Sequence, residues 1–476
     1  MKKNGKRYRA LQRKKELKRK SHVLKREIDQ EVEDINTSLL SIAQIVPSNP
    51  IVHETKELRG EYLARLNSYI RAGKWERRKF EKAELLAYEE IVMALEDIKG
   101  VHNIVFYRYF LLLDVIQILG YEIKHGEDDK LEAVKQKILT DFGSDIEGTV
   151  IDKIFSAFKD TGRDKYKKIQ SLSKNNKLED ESEYIKLMLK NIKFKETKPV
   201  GVMVTATMSA GKSTFINALT GKYICLSQNM ACTSKIHNIV NKAYEDGYSY
   251  EYDYNLEMTA EREELMNDNE LNSSDKIVVG THFAGLLGNE RIIISDSPGV
   301  NYSENEEHKL ITEKLIKGRN YHLLIYIMNA TQLGTNDEDE HINYVKGIIG
   351  RTPVLFVINK IDAFNVDEED LFAAIERQVS YLKNKGFKNP MVCPVSARAG
   401  YLSKRFEEGN LSRSESRELY NFVDKFDKMN LPYYYGKFFK GMKVEDSKKE
   451  EIQLQKTCGL AYVEKLIISL TTVGGK

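Results

Sequence analysis

The chain contains 476 residues, of which 41% are hydrophobic and 30% charged, and its formal net charge is +3. This length predicts two or three domains with ample room for packed cores. The four cysteines show no metal-ligand spacing and the nine histidines form no His-Glu-x-x-His motif, which excludes the common zinc-site patterns. Four cysteines without such a site are typical of the reducing cytoplasm, which is the expected compartment. The cysteines are predicted to be core or loop residues: Cys225, Cys232, Cys393 and Cys458.

Residues 1–27 are predicted to form a basic tail or frayed helix. Residues 1–26 carry thirteen Lys or Arg and one acid, Glu16, so this end contributes +12 and the rest of the chain −9. No apolar core follows, which excludes a secretory signal peptide. Contact with an anionic membrane surface, contact with nucleic acid and a solvated tail without a partner remain open. Tyr8 is the only aromatic residue here, so base stacking is poorly supported and nucleic acid is not the expected partner.

Residues 28–194 are predicted to fold as an all-helical bundle. Apolar residues recur at alternating steps of four and three from Ile28 to Ile42, which is the pattern of a helix that packs on another helix. Pro47 and Pro50 end this helix. The elements predicted next are helices over 55–72, 76–99, 128–142 and 145–160, a polar connector over 161–181 and a short helix over 181–192.

The most apolar segment of the chain spans residues 104–119. Arg108 and Asp114 interrupt it, so its uninterrupted apolar length is well below the roughly 20 residues that cross a bilayer. We predict that it is the buried central helix of the bundle, with membrane insertion as the weaker alternative. No transmembrane segment is predicted elsewhere.

Residues 205–214 have the pattern of a phosphate-binding P-loop. They follow an apolar run at 200–204 and precede a helical pattern at 215–219. Small residues let backbone N–H groups close around phosphate oxygens at the positive end of a helix. Ala206 stands where the usual pattern has its first glycine. The loop residues predicted to bind nucleotide are Met208, Ser209, Ala210, Gly211, Lys212, Ser213 and Thr214.

Two side chains of this loop and a second motif predict a magnesium-bound triphosphate. Lys212 would reach the β- and γ-phosphates, and the Ser213 hydroxyl would be a magnesium ligand. The apolar run 291–295 ends in Asp296-Ser-Pro-Gly299, which matches the Asp-x-x-Gly element of GTPases. Asp296 would hold magnesium through water, and the Gly299 amide would contact the γ-phosphate.

A third motif predicts which base is bound. The apolar run 353–358 ends in Asn359-Lys360-Ile-Asp362. The Asp362 carboxylate can accept two hydrogen bonds from guanine, and a site of that kind rejects adenine because its buried charge would be left unpaired. The base is therefore predicted to be guanine.

A fourth motif completes the set. The apolar run 391–395 ends in Ser396-Ala397, where a backbone amide usually contacts the guanine O6. Four motifs in order, each after an apolar run, predict an α/β P-loop GTPase domain with a mostly parallel sheet flanked by helices. GTP and GDP are the expected ligands.

These motifs resemble those of the bacterial dynamin-like GTPases. The resemblance rests on the P-loop string, on Asp-Ser-Pro-Gly and on the run at 327–335, and it covers about residues 195–470. It implies a dynamin-type GTPase domain over 195–472 that uses Mg²⁺. It also implies that Thr233 closes over magnesium and positions the attacking water. The predicted catalytic residues are then Ser209, Lys212 and Thr233, and the predicted metal ligands are Ser213, Thr233 and Asp296.

The resemblance also implies how hydrolysis is assisted. Val300 stands where Ras-like enzymes carry a water-orienting glutamine. In dynamins this role is shared by the P-loop serine, here Ser209, a monovalent cation (K⁺ or Na⁺) and a second GTPase domain across the nucleotide. Met208 replaces the glutamine that many eukaryotic dynamins have beside that serine. The implied partners are a second copy of the chain, paired through the GTPase domains, or a second dynamin-like subunit.

The remaining elements of this domain are predicted from local patterns. Tyrosines from Tyr248 to Tyr254 alternate with polar residues, which predicts a half-exposed strand whose tyrosines lie on the sheet surface. The predicted elements are a first switch loop over 222–234, strands over 236–244 and 248–254, an exposed helix over 261–268, a switch helix over 304–317, a buried strand over 321–329 and further helices after Ser396, the last over 459–467.

The sequence predicts a magnesium-dependent GTP hydrolase and leaves its cellular role open. A dynamin-like protein acting at membranes, or in a defence or remodelling complex, is the first hypothesis. A regulatory switch and a structural subunit of a hetero-oligomeric assembly are the alternatives. The expected location is the cytoplasm, with peripheral contact to the inner face of the membrane left open. The long stalk of full-size relatives has no counterpart after residue 470, so the N-terminal helices, a partner or a longer chain would supply it.

Overall fold

The computed structural model describes residues 44–74, 85, 88–89, 91–93, 100–121, 123, 126–159, 162–225, 236–252, 256–257, 276–297, 306–318, 321–364 and 370–473. The basic tail, the seam from residue 28 to 42, most of the predicted helix 76–99, the predicted helix 261–268 and residues Thr233, Cys232, Gly299 and Val300 lie outside this part of the chain. The chain divides into two compact units, Met1–Leu189 and Lys190–Lys476. The boundaries predicted after residues 27 and 194 stay predictions.

The first unit is helical throughout its described part, as the sequence predicts. Its helices begin and end at these residues: α1 Lys56–Ala72, α2 Arg108–Ile118, α3 Asp128–Phe142, α4 Gly148–Lys159, α5 Gly162–Leu172 and α6 Ser182–Glu196, the last of which continues into the second unit.

Helix α2 is the buried helix predicted from the apolar segment. All its residues from Tyr109 to Ile118 are buried, including Asp114. This burial in the core explains the apolar character of α2. No helix in the described part of the chain combines the length and the apolar composition that a membrane span needs.

The connector predicted over 161–181 is wrong. Helix α5 occupies most of it, and a turn of 3-10 helix follows at Asn176–Leu178. Ile169 and Leu172 are three residues apart, lie on one face of α5 and are buried. Few apolar residues suffice to anchor this short helix, so the polar composition hides it.

The second unit contains a mostly parallel sheet, which confirms the predicted fold class. In the described part of the chain, the strands are β1 Val200–Ala206, β2 Ile236–Asn241, β3 Tyr250–Tyr252, β4 Leu256–Glu257, β5 Lys276–Thr281, β6 Ile292–Asp296, β7 Leu323–Asn329, β8 Val354–Asn359 and β9 Met391–Pro394. Their order in the sheet is β4-β3-β5-β2-β6-β1-β7-β8-β9. The five strands from β6 to β9 in this order run parallel to one another, and β2 runs antiparallel to β6.

Strands β7 and β8 are buried along their whole length. Both read as continuous apolar runs, which is typical of parallel strands covered on both faces. The helices of this unit are α7 Lys212–Thr220, α8 Glu306–Gly318, α9 Asn336–Ile348, α10 Leu371–Asn384, α11 Ala397–Glu407, α12 Arg413–Met429, α13 Leu431–Phe438, α14 Glu450–Thr457 and α15 Leu460–Val473. The helices predicted after Ser396 are thus present.

The tyrosine-rich strand differs from its prediction. Strand β3 is three residues long, and β5 lies between it and β2. Tyr248 is 45% exposed, but Tyr250 is fully buried. The Tyr250 hydroxyl donates a hydrogen bond to Asp246 Oδ2 at 2.6 Å, and the Lys242 Nζ lies 4.4 Å from its ring centroid. Tyr250 is thus buried beside an acid and a lysine, and its predicted place on the sheet surface is wrong.

Candidate nucleotide-binding site

The sheet brings the ends of the predicted motif strands to one edge. Val204 of β1 pairs with Asp296 at the end of β6, and Asn329 at the end of β7 pairs with Asn359 at the end of β8. Because these strands are parallel, the loops that follow them leave the sheet on the same side. The four sequence motifs therefore converge in space.

The predicted P-loop connects β1 to α7. Gly211 has a left-handed backbone (φ +85°), and a Cβ at this position would lie 2.4 Å from Asn359 Nδ2. Only glycine fits there. Ala206, in contrast, is the last residue of β1 and has strand backbone, which alanine adopts as readily as glycine. The departure from the usual pattern at Ala206 thus has no steric consequence.

A buried ion pair lies where the P-loop faces β6. The Lys212 ammonium bonds Asp296 Oδ1, and the two side chains are 7% and 1% exposed. The Cys225 thiol lies 3.7 Å from Asp296 Oδ2, and burial raises the pKa of this thiol well above its usual range. A buried charge pair of this kind is stable only while each charge keeps a partner.

The donor set fits a magnesium-bound phosphate group. Lys212 offers a cation suited to phosphate oxygens, and Asp296 with the Ser213 hydroxyl offers the oxygen ligands that magnesium prefers. A bound phosphate would replace Asp296 as the partner of Lys212, and a bound metal ion would replace Lys212 as the partner of Asp296. Among the described residues there is no group of three or more His, Cys, Asp or Glu able to hold a metal ion by itself.

Asn359 links the P-loop to the two base motifs. Its Nδ2 donates to the carbonyl oxygens of Ala210 at 3.1 Å and Gly211 at 3.4 Å, and its Oδ1 accepts from the Ala397 amide at 3.0 Å. The side chain is 2% exposed. One amide therefore fixes the phosphate loop relative to the loop after β9.

The predicted guanine ligand Asp362 lies in a turn of 3-10 helix, Ile361–Ala363, directly after β8. Its Oδ1 accepts from the Ser396 hydroxyl at 2.5 Å, and its backbone oxygen accepts from Lys425 Nζ at 2.6 Å. Lys360, which begins the turn, has a left-handed backbone with φ +64°. The turn thus holds the half-buried carboxylate of Asp362 in one orientation.

The other predicted ligands occupy the expected segments. Lys360 extends over the P-loop, since its Cε lies 3.5 Å from the position of a Cβ on Gly211. Met208, Ser213 and Thr214 are half-buried around the loop, and Ser209 is exposed with φ +61°. The individual ligand and catalytic roles stay predictions, and Thr233 and Gly299 lie outside the described residues.

Two asparagines at this site belong to none of the predicted site residues. Asn217 of α7 accepts from the amides of Ile224 at 3.0 Å and Cys225 at 2.8 Å, which fixes the start of the predicted switch loop. Asn329 Nδ2 donates to the Ser209 carbonyl at 3.4 Å. The position of Asn329 at the end of a buried strand was a usable signal, because Asp296 and Asn359 end their strands in the same way.

The fold and the site together define a P-loop GTPase domain. Residues 202–361 match the model of the Dynamin family. This part of the chain is therefore similar to the GTPase domain of the dynamin family, as its motifs predict.

A curated relative shows the same similarity. The chain is 26% identical over 237 residues to a protein from Nostoc punctiforme named "Bacterial dynamin-like protein", with 45% of this chain and 33% of the relative covered. The chain thus spans about a third of the length of that relative.

Solved structures give weaker matches. One, titled "An oligomerised bacterial dynamin pair provides a mechanism for the long range sensing and tethering of membranes", has a TM-score of 0.35 and 16% identity, with 91% of this chain and 61% of that chain covered. The FeoB G-domain from Methanococcus jannaschii has a TM-score of 0.24 and 16% identity, with 45% and 96% covered. At these TM-scores neither match supports a conclusion about this chain.

Proposed function

We propose that this protein binds GTP and hydrolyses it to GDP and phosphate. The observation that carries the proposal is the convergence of the phosphate loop and the base motifs on Asn359, which bonds both. The Lys212 ammonium would neutralise the phosphates, and Asp362 would accept hydrogen bonds from guanine. Ser213, Asp296 and Thr233 would hold Mg²⁺, which stabilises charge on the phosphoryl oxygens when it is bound.

Base preference tests this assignment directly. We expect the protein to bind GTP far more tightly than ATP, because adenine lacks the N1–H and 2-amino donors that the Asp362 carboxylate would accept from guanine. The Asp362→Asn variant should shift preference from guanine towards xanthine. Competition between a fluorescent GTP analogue and unlabelled GTP, ATP and XTP measures this. Equal affinity of the wild-type protein for GTP and ATP would contradict the proposal.

We further propose that hydrolysis depends on association of GTPase domains. Val300 cannot orient water, so the Ser209 side chain, a monovalent cation and a second GTPase domain would share that task. Turnover per molecule should then rise with protein concentration and in the presence of K⁺, and sizing with a non-hydrolysable GTP analogue should reveal a dimer. A turnover rate per molecule that stays constant on dilution would contradict this part of the proposal.

For the cellular role, we propose a dynamin-like protein whose nucleotide-dependent assembly acts at membranes or in a defence or remodelling complex. The dynamin-family domain and the basic residues 1–26 support this proposal. Sedimentation with anionic liposomes in GTP and in GDP tests it. Failure to sediment in either state would favour a regulatory switch, and turnover that needs a second dynamin-like subunit would favour a structural role in a hetero-oligomer.

A further inference from the structure

Helix α12 lies beside both turns that form the base-binding end of the site. A capping box fixes its start, since the Ser412 side chain bonds the Glu415 amide and the Glu415 side chain bonds the Ser412 amide. Buried apolar residues along one side anchor it in the core: Leu419, Phe426 and Met429. The helix is therefore fixed at its start and along its length.

Two charged side chains of α12 contact the two turns. Lys425 Nζ donates to the backbone oxygen of Asp362 at 2.6 Å. Glu418 accepts from Arg398 in a two-point contact, Nε to Oε1 at 3.0 Å and Nη2 to Oε2 at 2.6 Å. Arg398 directly follows Ala397, the predicted contact of the guanine O6. Glu418 and Lys425 are seven residues apart, so they lie two turns from each other on the same face of the helix.

We propose that Glu418 and Lys425 are positioning residues for guanine recognition. The inference rests on the proposed GTP binding and deepens it. Neither side chain is predicted to touch the nucleotide. Lys425 holds the turn that presents the Asp362 carboxylate, and Glu418 holds the turn whose Ala397 amide donates to Asn359 Oδ1.

The need for such support follows from the geometry of the turn. Lys360 has a left-handed backbone that non-glycine residues seldom adopt without support from their surroundings. Asn359 and Ser396 restrain the turn on the side of the sheet. Lys425 restrains its backbone from α12, by a charge-assisted hydrogen bond. Removing that bond allows the turn to shift, and the two hydrogen bonds to guanine depend on its exact placement.

The test compares Lys425→Met with Lys428→Met in the full chain. Lys428 is an exposed lysine on the same helix and serves as the matched control. Competition binding gives the affinities for GTP, ITP, which lacks the guanine 2-amino group, and ATP. We expect Lys425→Met to weaken GTP about tenfold while ATP, already weak, changes little, so the preference for GTP over ATP falls about tenfold. Lys425→Arg should restore most of the preference, and Lys428→Met should leave it unchanged.

Other outcomes separate this inference from the proposed function. Glu418→Gln, which weakens the two-point contact without removing the side chain, should reduce the GTP preference by a smaller factor. A Lys425→Met protein with an unchanged GTP to ATP ratio, whether or not its melting temperature falls, would overturn the positioning role. A wild-type protein without a preference for GTP over ATP would contradict the proposed function itself, and with it this inference.

Discussion

Each unit of the protein buries a carboxylate, and the two carboxylates are satisfied in different ways. Asp114 of α2 accepts hydrogen bonds from Asn49 Nδ2 at 2.8 Å, from the Tyr184 hydroxyl at 2.5 Å and from the hydroxyls of Tyr62 and Tyr88. These donors are neutral and belong to buried side chains.

Asp296 of β6 is equally buried but is bonded to a cation, the Lys212 ammonium, and to the Cys225 thiol. Tyrosine hydroxyls fixed by core packing cannot leave Asp114 without unpacking the helices. The lysine, in contrast, has a flexible stem and an alternative partner in a phosphate group. Burial therefore does not distinguish these two carboxylates. The difference is that Lys212 could exchange Asp296 for a phosphate group, whereas the partners of Asp114 are fixed.

Replacing Lys212 should have the largest effect, because it removes the exchangeable partner of Asp296. Lys212→Ala removes the charge that would meet the phosphates, and we expect GTP affinity to fall at least about 100-fold. It also leaves Asp296 buried without its cation, which should cost about 3–5 kcal/mol of stability. Titration with a fluorescent GTP analogue and guanidinium unfolding measure the two effects. Lys428→Ala is the control, and a Lys212→Ala protein that binds GTP normally would refute the functional role of the pair.

Replacing Asp114 should affect stability alone. Asp114→Asn places amide donors against hydroxyls that already donate, so buried polar groups lose their acceptor at a cost of about 2–4 kcal/mol. GTP affinity should be unchanged, because Asp114 lies outside the GTPase unit. The control is Asp152→Asn, whose side chain is 57% exposed and pairs with Lys135, and it should cost less than about 1 kcal/mol. Equal destabilisation by both variants would contradict a special role for the Asp114 network.

The pH dependence of stability sharpens the contrast further. Burial raises the pKa of Asp114 from 3.8 to about 6, and the tyrosine and asparagine donors oppose this shift. Because the folded pKa is the higher one, the contribution of Asp114 is fully present below about pH 4 and is lost as the pH rises to about 6. Relative to Asp114→Asn, the wild-type protein should lose at most about 3 kcal/mol of stability between pH 4 and pH 7. Urea unfolding of both proteins across this range measures the difference, and a constant difference would show that Asp114 stays ionised.

The sequence predicts the parts of this site that are local in the chain. Lys212, Asp296, Asn359 and Ser396 each follow an apolar run, and parallel strands place their ends together, so motif order was sufficient to expect their convergence. Contacts between distant segments leave no such pattern. Lys425 reaches Asp362 across 63 residues, and nothing in the spacing of α12 marks that lysine.

The same limit explains the errors in the fold. Tyr250 is buried and contacts Asp246 and Lys242, although the alternation of its strand leaves open which face is covered. Helix α5 forms because a few apolar residues meet the core, although its segment is polar overall. In both places, tertiary contacts outweigh the local sequence pattern.

The smallest expected effect concerns Cys225, the second partner of Asp296. Its thiol is a weak donor at 3.7 Å, so Cys225→Ala should cost only about 1 kcal/mol and change GTP affinity less than about threefold. Because burial raises the pKa of this thiol, it should also resist alkylation at pH 7.5 in the folded protein and react after unfolding. Mass spectrometry of iodoacetamide-treated protein, with Cys225→Ala as the blank for that peptide, measures the modification. Rapid labelling of native Cys225 would mean that the thiol is ionised and exposed, and that Lys212 alone satisfies Asp296.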